Sequence, residues 1–407
     1  MKLTILDNGL KVASRSMPGI ETVAIGLYAE TGSRHETERV NGLAHLYEHM
    51  VFKGAGGRSA REISEAIEDV GGDLNACTER DGTSFSASLL AEHLPLGIEL
   101  LSDLILRPHF DGADLAREKE VVLQELGEAR DTPSDIIFDE LWAAAYPDQP
   151  LGRSILGDEA SIAAITVADL DDWRTTQYRA GSLTLVAAGK VDHDVLVRLA
   201  EQRFDRLPEG AIGTPDAARF AGGLRKARSR ADQAHLALAY AAPAQRDPNL
   251  YPARLFADLV GGGASSRLFQ AVREERGLAY SVWASLQPYR DAGIFHLYAA
   301  TARREAEAAS ALIGSVLAEA ADGATQRELD RVRMQAKAGL LMSLESPWGQ
   351  ASYVARQLAI HGRLVEPAEL VTELEAVSLD QVRAAGSAIL AGARASATIG
   401  VPAVRAA

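Results

Sequence analysis

The amino-acid sequence predicts an α+β protein of two tandem homologous domains, each with mixed or antiparallel sheets packed against helices. The first observation is length, because 407 residues exceed one ordinary domain of about 100–200 residues. The second is that strands of period 2 and helices follow one another without a strict βαβ rhythm. The third is that one order of elements recurs on both sides of a segment rich in Pro and Gly. We therefore predict domains at 1–207 and 226–407, joined by a linker at 208–225.

The order of elements can be followed from the N-terminus. Asn8-Gly9 predicts a hairpin turn, and an alternating strand follows at residues 23–28. A second strand is predicted at residues 83–89. Their counterparts are predicted at residues 236–240 and 293–299. Thr132-Pro133 recurs as Ser346-Pro347, 214 positions later, so strands and helix boundaries together indicate a duplicated unit.

Composition excludes several classes of protein. Hydrophobic residues at 47% and charged residues at 24% are typical of globular chains rather than disordered ones. The net charge of −14 argues against a nucleic-acid partner. No apolar run approaches the length of about 18 residues that a membrane helix needs, and the first residues lack the pattern of a secretory signal. We therefore expect a cytoplasmic protein without a membrane or nucleic-acid partner.

The strongest chemical signal lies between residues 41 and 54. This stretch predicts about three turns of a buried helix that contains His45, Glu48 and His49 as H-x-x-E-H, the inverted zinc motif. At about 100° per residue, the three side chains share one arc of the helix. Two imidazoles at i and i+4 can bind one Zn²⁺, and Glu48 is placed to handle a proton. A buried polar cluster is costly without such a partner, so we predict a metal site.

A catalytic zinc ion usually takes three protein ligands, so a third ligand is expected elsewhere. The predicted helix at residues 114–129 has an apolar face and four glutamates. We assign to the apolar face Val121, Val122, Leu123, Leu126 and Ala129. Glu118 and Glu125 fall within that face, whereas Glu120 and Glu128 lie on the opposite side. Helical geometry leaves open which of the two inward carboxylates contacts the metal.

Residues 42–50 and 121–126 resemble the motifs of the M16 metallopeptidases, the pitrilysin and insulin-degrading enzyme group. The similarity is greatest to the mitochondrial processing peptidase and its short bacterial relatives. It implies that His45, His49 and Glu125 bind one Zn²⁺ per chain. It also implies that Glu48 is the general base on zinc-bound water and that Glu118 supports the site.

In the second half, residues 261–269 and 273–280 also resemble this family. The latter stretch is similar to the Arg/Tyr pair that serves the active site from the C-terminal domain, so Arg273 and Tyr280 are expected to act in catalysis. The N-terminal domain is then the zinc-binding catalytic domain. The resemblance implies a zinc-dependent endopeptidase that hydrolyses oligopeptides or unfolded segments in a chamber that closes about the linker.

Two other functions fit the same resemblance. The chain could be a non-catalytic peptide-binding or structural subunit of a complex, or a different zinc hydrolase with the same ligands. The partners expected are a peptide substrate and a second copy in a homodimer, with a related second subunit as the alternative.

A candidate substrate strand contains Asn75, Ala76 and Cys77. These residues follow Gly71-Gly72 and read as an edge strand, to which an extended peptide could add. An ordinary sheet edge explains the pattern equally well. We interpret Cys77 as a small packed residue rather than a nucleophile, because its spacing matches no thiol motif.

Overall fold

The computed structural model describes residues 1–227 and 232–401. Within these residues the strands form a six-stranded sheet, a five-stranded sheet and a two-stranded ribbon, β4–β5. The strands are β1 (Lys2–Ile5), β2 (Lys11–Ser16), β3 (Thr22–Ala29), β4 (Gly54–Ala55), β5 (Arg58–Ser59), β6 (Asp73–Thr78), β7 (Thr83–Leu90), β8 (Leu183–Gly189), β9 (Gly223–Ala227), β10 (Gln233–Ala242), β11 (Ala279–Pro288), β12 (Gly293–Ala302) and β13 (Arg394–Ile399).

The helices lie between these strands. They are α1 (Leu43–Val51), α2 (Ala60–Glu68), α3 (Leu94–Leu106), α4 (Gly112–Asp131), α5 (Pro133–Ala145), α6 (Glu159–Ala164), α7 (Val167–Gln177), α8 (His193–Arg203), α9 (Leu250–Gly261), α10 (Ala306–Gly323), α11 (Gln326–Ser343), α12 (Pro347–His361), α13 (Pro367–Ala376) and α14 (Leu379–Ala391). Phe269–Glu275 forms a π-helical segment. Among the described residues, every helix is too short or too polar to cross a membrane.

The two large sheets repeat one topology. The first has the order β6-β7-β3-β8-β2-β1, and the second has the order β11-β12-β10-β13-β9. In both sheets the first four strands are antiparallel neighbours, and the next pair, β8–β2 or β13–β9, is parallel. The additional strand β1 pairs with β2 through the hairpin predicted at Asn8-Gly9, where Gly9 has a φ of 98°. The predicted fold class, two similar α+β domains with mixed sheets, is confirmed.

The chain forms two compact units that exchange one helix. Unit 1 comprises residues 1–126, 154–216 and 341–366, and unit 2 comprises 127–153, 217–340 and 367–407. Helix α12 therefore packs on β2, β3 and β8 of the first sheet, whereas α5 packs on β9, β10 and β13 of the second. Both helices begin with the Ser/Thr-Pro pairs of the repeat. The linker at 208–225 remains a prediction from the sequence repeat. Its last residues, 223–225, belong to strand β9.

Helix α1 lies in the core of unit 1. Its apolar side chains are buried, and Tyr47 stacks on Tyr178 with ring centroids 5.0 Å apart. Phe110 packs edge-on against the Tyr47 ring at 5.6 Å. Because close-packed neighbours surround the helix, its remaining polar face has a fixed direction.

Candidate metal centre

The start of α1 is held by a carboxylate from an earlier turn. Glu36 is buried and accepts hydrogen bonds from the backbone N–H of Gly42 at 2.9 Å and of Ala44 at 2.7 Å. The side chain of Asn41 donates a third bond at 2.8 Å. A negative charge at a helix N-terminus satisfies free N–H groups and interacts favourably with the helix dipole. Glu36 therefore fixes the helix that carries the H-x-x-E-H motif.

Three side chains predicted from sequence converge beside this helix. His45, His49 and Glu125 offer one ligand atom each, and these atoms lie within 4.8 Å of one another. Glu125 Oε2 is 3.9 Å from His45 Nε2, and Glu125 Oε1 is 3.7 Å from His49 Nε2. Two ligand atoms of a tetrahedral zinc site with bonds of about 2.0–2.1 Å are about 3.3 Å apart. The observed distances are close to that spacing.

The polar atoms of the cluster fit a bound cation. Oε2 of Glu125 is buried and has no hydrogen-bond partner among the described residues. Burial lowers the pKa of His45 to about 4, and the neighbouring His49 acts in the same direction. The His45 imidazole is therefore neutral near pH 7, the state in which a ring nitrogen can bind a metal. Two imidazole nitrogens and one carboxylate form a donor set suited to Zn²⁺.

The two inward glutamates of α4 have different surroundings. Glu118 is buried, and its Oε2 is 3.2 Å from His49 Nδ1. Its Oε1 is 2.7 Å from the ammonium group of Lys53. Glu125 instead faces the Nε2 atoms of both histidines. The structure thus separates the two carboxylates that helical geometry left equivalent.

Other predictions for α4 hold in part. Glu120 and Glu128 are exposed, as predicted. Val121, which the sequence analysis placed on the apolar face, is 38% exposed, and that assignment was wrong. The buried residues of α4 form a narrower stripe at spacings of three and four, Leu115, Glu118, Val122 and Leu126, and Val121 falls outside that stripe.

Glu48 lies next to the cluster and is oriented by a strand. The hydroxyl of Thr78, the last residue of β6, donates a hydrogen bond to Glu48 Oε2. Burial raises the pKa of Glu48, while the bond from Thr78 and the nearby His49 oppose that rise. A carboxyl group with a raised pKa exchanges protons more readily near neutral pH.

Comparisons with known proteins match both halves of the chain to one protein family. The family model for insulinase, peptidase family M16, matches residues 11–159, and that for the peptidase M16 inactive domain matches residues 164–336. An uncharacterized zinc protease of Rickettsia felis is 33% identical over 396 residues, which cover 97% of this chain and 96% of that protein. The chain belongs to peptidase family M16.

Further relatives cover nearly the same length of this M16 chain. The uncharacterized zinc protease YmxG of Bacillus subtilis is 34% identical and covers 92% of each chain. The mitochondrial-processing peptidase subunit beta of Lentinula edodes is 32% identical over 94% of this chain and 86% of its own length.

A crystal structure of a peptidase M16 inactive domain from Pseudomonas fluorescens matches the fold with a TM-score of 0.92 at 23% identity, over 100% of this chain and 98% of that chain. The fold is therefore that of two tandem M16 domains.

Arg273 and Tyr280 belong to unit 2, and two backbone irregularities position them. Arg273 lies on the π-helical segment, and Tyr280 lies at a bulge where the register between β11 and β12 shifts. The Arg273 guanidinium carbon is 4.7 Å from the Phe269 ring centroid and 4.9 Å from the Tyr280 ring centroid. Tyr280 is nevertheless 76% exposed. Unit 2 therefore presents an arginine held between two aromatic rings, one of which faces solvent.

The predicted substrate strand is β6, at the end of its sheet. Asn75 and Cys77 are exposed and Ala76 is half-buried. Burial, together with the carboxylates of Glu79 and Glu48, raises the pKa of Cys77. The prediction that Cys77 is a packed residue was wrong, because its side chain is exposed on β6. A raised thiol pKa disfavours the thiolate, which agrees with the other part of that prediction, that Cys77 is no nucleophile. Peptide binding along β6 remains a prediction.

Sequence reasoning missed three residues that hold the site. Glu36, Lys53 and Thr78 all bond to groups in or next to the cluster. Glu36 precedes the motif by nine residues and Lys53 follows it by four, but nothing in the spacing shows that their side chains turn back toward it. Thr78 directly follows the predicted edge strand of Asn75, Ala76 and Cys77, and nothing in the sequence indicates its contact with Glu48.

Proposed function

We propose that this chain is a zinc-dependent endopeptidase that hydrolyses oligopeptides or unfolded segments. The observation that carries the proposal is the convergence of His45, His49 and Glu125 beside the carboxylate of Glu48. Three protein ligands leave a coordination position for solvent or substrate, as in catalytic rather than structural zinc sites. The names of relatives as zinc proteases support the same activity.

The proposed metal would be held by His45, His49 and Glu125. Zn²⁺ bound there would act as a Lewis acid that polarises the peptide carbonyl and lowers the pKa of water toward about 7. His45 would offer Nε2 to the metal, and its lowered pKa keeps the imidazole neutral near pH 7. Glu118 accepts a hydrogen bond from His49 Nδ1 and keeps that ring's Nε2 free for the metal.

Glu48 is the proposed proton carrier. The hydrogen bond from the Thr78 hydroxyl orients this carboxylate, which would accept a proton from the attacking water. The same carboxyl group then gives the proton to the departing amine, so that one residue serves as base and then as acid. Burial raises the pKa of Glu48, which favours uptake of the proton from water.

We also propose that Arg273 and Tyr280 donate hydrogen bonds to the oxyanion that develops during the reaction. Their role follows from the family resemblance, and two observations suit it: the Phe269 ring packs against the Arg273 guanidinium, and Tyr280 is largely exposed. A Tyr280→Phe variant is expected to lower kcat with little change in zinc content.

The test of the proposal is hydrolysis of a mixed peptide pool by purified protein with and without added zinc. Cleavage is expected only with the metal. Glu48→Gln should lower kcat by about 10²–10⁴-fold, the usual contribution of general acid–base catalysis, while zinc remains bound. Glu120→Gln on the exposed face of α4 is the matched control and should retain full activity. Full activity in Glu48→Gln would contradict the assigned base.

A non-catalytic peptide-binding subunit is the rival function. Stoichiometric zinc and peptide binding without cleavage of any peptide in the pool would favour it. We also propose a homodimer, as the family resemblance implies, with a related second subunit as the alternative because one relative is named as a subunit of a processing peptidase. Light scattering that gives the mass of a single chain would contradict the dimer.

A further inference from the structure

Lys53 is a charged residue at the site that no part of the proposed mechanism uses. It lies just beyond α1, and its backbone N–H donates to the carbonyl of Met50 at 3.1 Å, so its position is tied to the helix end. Its side chain is one-third exposed, and its ammonium group lies 2.7 Å from Glu118 Oε1. The other oxygen of Glu118 lies 3.2 Å from His49 Nδ1. Lys53, Glu118 and His49 therefore form a continuous chain of polar contacts.

This series of polar contacts determines the orientation of the His49 ring. A carboxylate with one oxygen held by an ammonium group has its second oxygen fixed in direction. Glu118 then accepts the proton of Nδ1, which leaves the lone pair of His49 on Nε2, the atom that faces Glu125 at 3.7 Å. His45 lacks such an arrangement, because its Nδ1 has no hydrogen-bond partner among the described residues. Only one of the two imidazoles is thus oriented by side chains.

We propose that Lys53 is a positioning residue of the metal site, which holds Glu118 in the orientation that directs His49 Nε2 toward Zn²⁺. The inference rests on the proposed function, since it assumes that His49 binds the metal. It predicts a change in zinc affinity opposite in sign to the change expected from charge repulsion alone. An ammonium group near a cation repels it, so a pure charge effect predicts tighter zinc binding when Lys53 is replaced. Positioning through Glu118 predicts weaker binding instead.

The experiment measures zinc affinity by competition with a chromophoric chelator. Lys53→Met and Lys53→Gln, which remove the charge, are expected to weaken zinc binding by about 10-fold or more, the range found when partners of metal ligands are lost. Lys53→Arg should restore affinity to within a few-fold of wild type. Lys11→Met is the matched control: it removes an ion pair of unit 1, with Glu30 at 3.3 Å, and should leave zinc binding unchanged.

A double substitution tests the path of the effect. If Lys53 acts through Glu118, Lys53→Met combined with Glu118→Gln should bind zinc no more weakly than Glu118→Gln alone. Additive losses, or unchanged or tighter binding in both Lys53→Met and Lys53→Gln, would overturn the inference. These outcomes are distinct from failure of the proposed function, which would appear as a wild-type protein that binds no zinc. Urea unfolding of the zinc-free variants shows whether a loss of affinity reflects a loss of folding.

Discussion

Helices α1 and α9 occupy matching places in two units of the same topology, yet only one carries a polar cluster. Each helix follows one strand along the chain, β3 for α1 and β10 for α9. In its sheet this strand lies between the strands that include the parallel pair and the terminal hairpin. Helix α1 presents His45, Glu48 and His49, whereas the buried residues of α9 are all apolar and its Asp258 is half-buried. The fold therefore supplies a position for a site, and the side chains placed there decide whether chemistry is possible.

The same difference appears where each helix meets its terminal strand. Helix α1 reaches β6 through the hydroxyl of Thr78, which binds Glu48. Helix α9 instead packs closely against β11. A Cβ atom added at Gly261 would lie only 2.1 Å from the backbone nitrogen of Ala284. Close backbone packing thus fills in unit 2 the region where unit 1 has polar side chains.

Removal of a ligand gives the largest expected effect. His49→Gln should abolish stoichiometric zinc binding, because the remaining two side chains cannot hold a three-ligand site. Asp258→Asn, the change in the matching helix, should leave zinc content at the wild-type level. Metal analysis after dialysis against micromolar zinc measures both. Equal zinc content in the His49→Gln and Asp258→Asn proteins would refute the contrast between the two helices.

The cap of α1 gives the next effect. Glu36→Ala leaves the buried N–H groups of Gly42 and Ala44 without their acceptor, so the free energy of unfolding should fall by about 3 kcal/mol. Glu38→Ala, at an exposed position two residues away, is the control and should change it by less than about 0.5 kcal/mol. Urea unfolding gives both values. The Asn249 side chain makes no capping bond to α9, so Asn249→Ala should also have little effect.

A small effect of Glu36→Ala, similar to that of Glu38→Ala, would show that α1 needs no cap beyond its packing. The two helices would then differ in their side chains but not in how their N-termini are stabilised.

Periodicity within the sequence predicted what lies on one helix or strand. The shared arc of the motif and the inward direction of Glu118 and Glu125 follow from 3.6 residues per turn. Periodicity shows which face is apolar but not which sheet it covers, so the exchange of α5 and α12 between the units was not predicted. Lys53 and Thr78 were missed for a related reason, since their partners are 65 and 30 positions away in sequence.

A buried histidine in unit 2 shows that a depressed pKa alone does not define a site. Burial lowers the pKa of His296 to about 4, the same value as for His45. The rings of Phe138, Trp142 and Trp283 pack against His296, with centroids 5.1–6.0 Å away. The surroundings of His296 are aromatic, whereas His45 faces a carboxylate and a second imidazole.

His296 should affect stability at acidic pH. In the unfolded chain a histidine binds a proton below about pH 6.5, while folded His296 stays neutral down to about pH 4. The free energy of unfolding should therefore fall as pH decreases through this window, by about 1 kcal/mol at pH 5.5 from this residue. His296→Phe should remove that part of the slope in zinc-free protein. An unchanged slope in urea unfolding between pH 7 and pH 4.5 would contradict the prediction.

Substitution of Asp258 in α9 is expected to have the smallest effect on the free energy of unfolding. Burial raises its pKa, and the nearby Arg254 offsets the rise only in part. The unfolded chain then loses its proton at lower pH than the folded one, so ionisation of Asp258 lowers stability as pH rises above about 4. Asp258→Asn should raise the free energy of unfolding at pH 7 by less than about 1 kcal/mol, with no gain at pH 3. Asp322→Asn, on an exposed position of α10, should change neither value. A loss of stability at pH 7 would mean instead that the carboxylate has a favourable partner in α9, as the acidic groups beside α1 do.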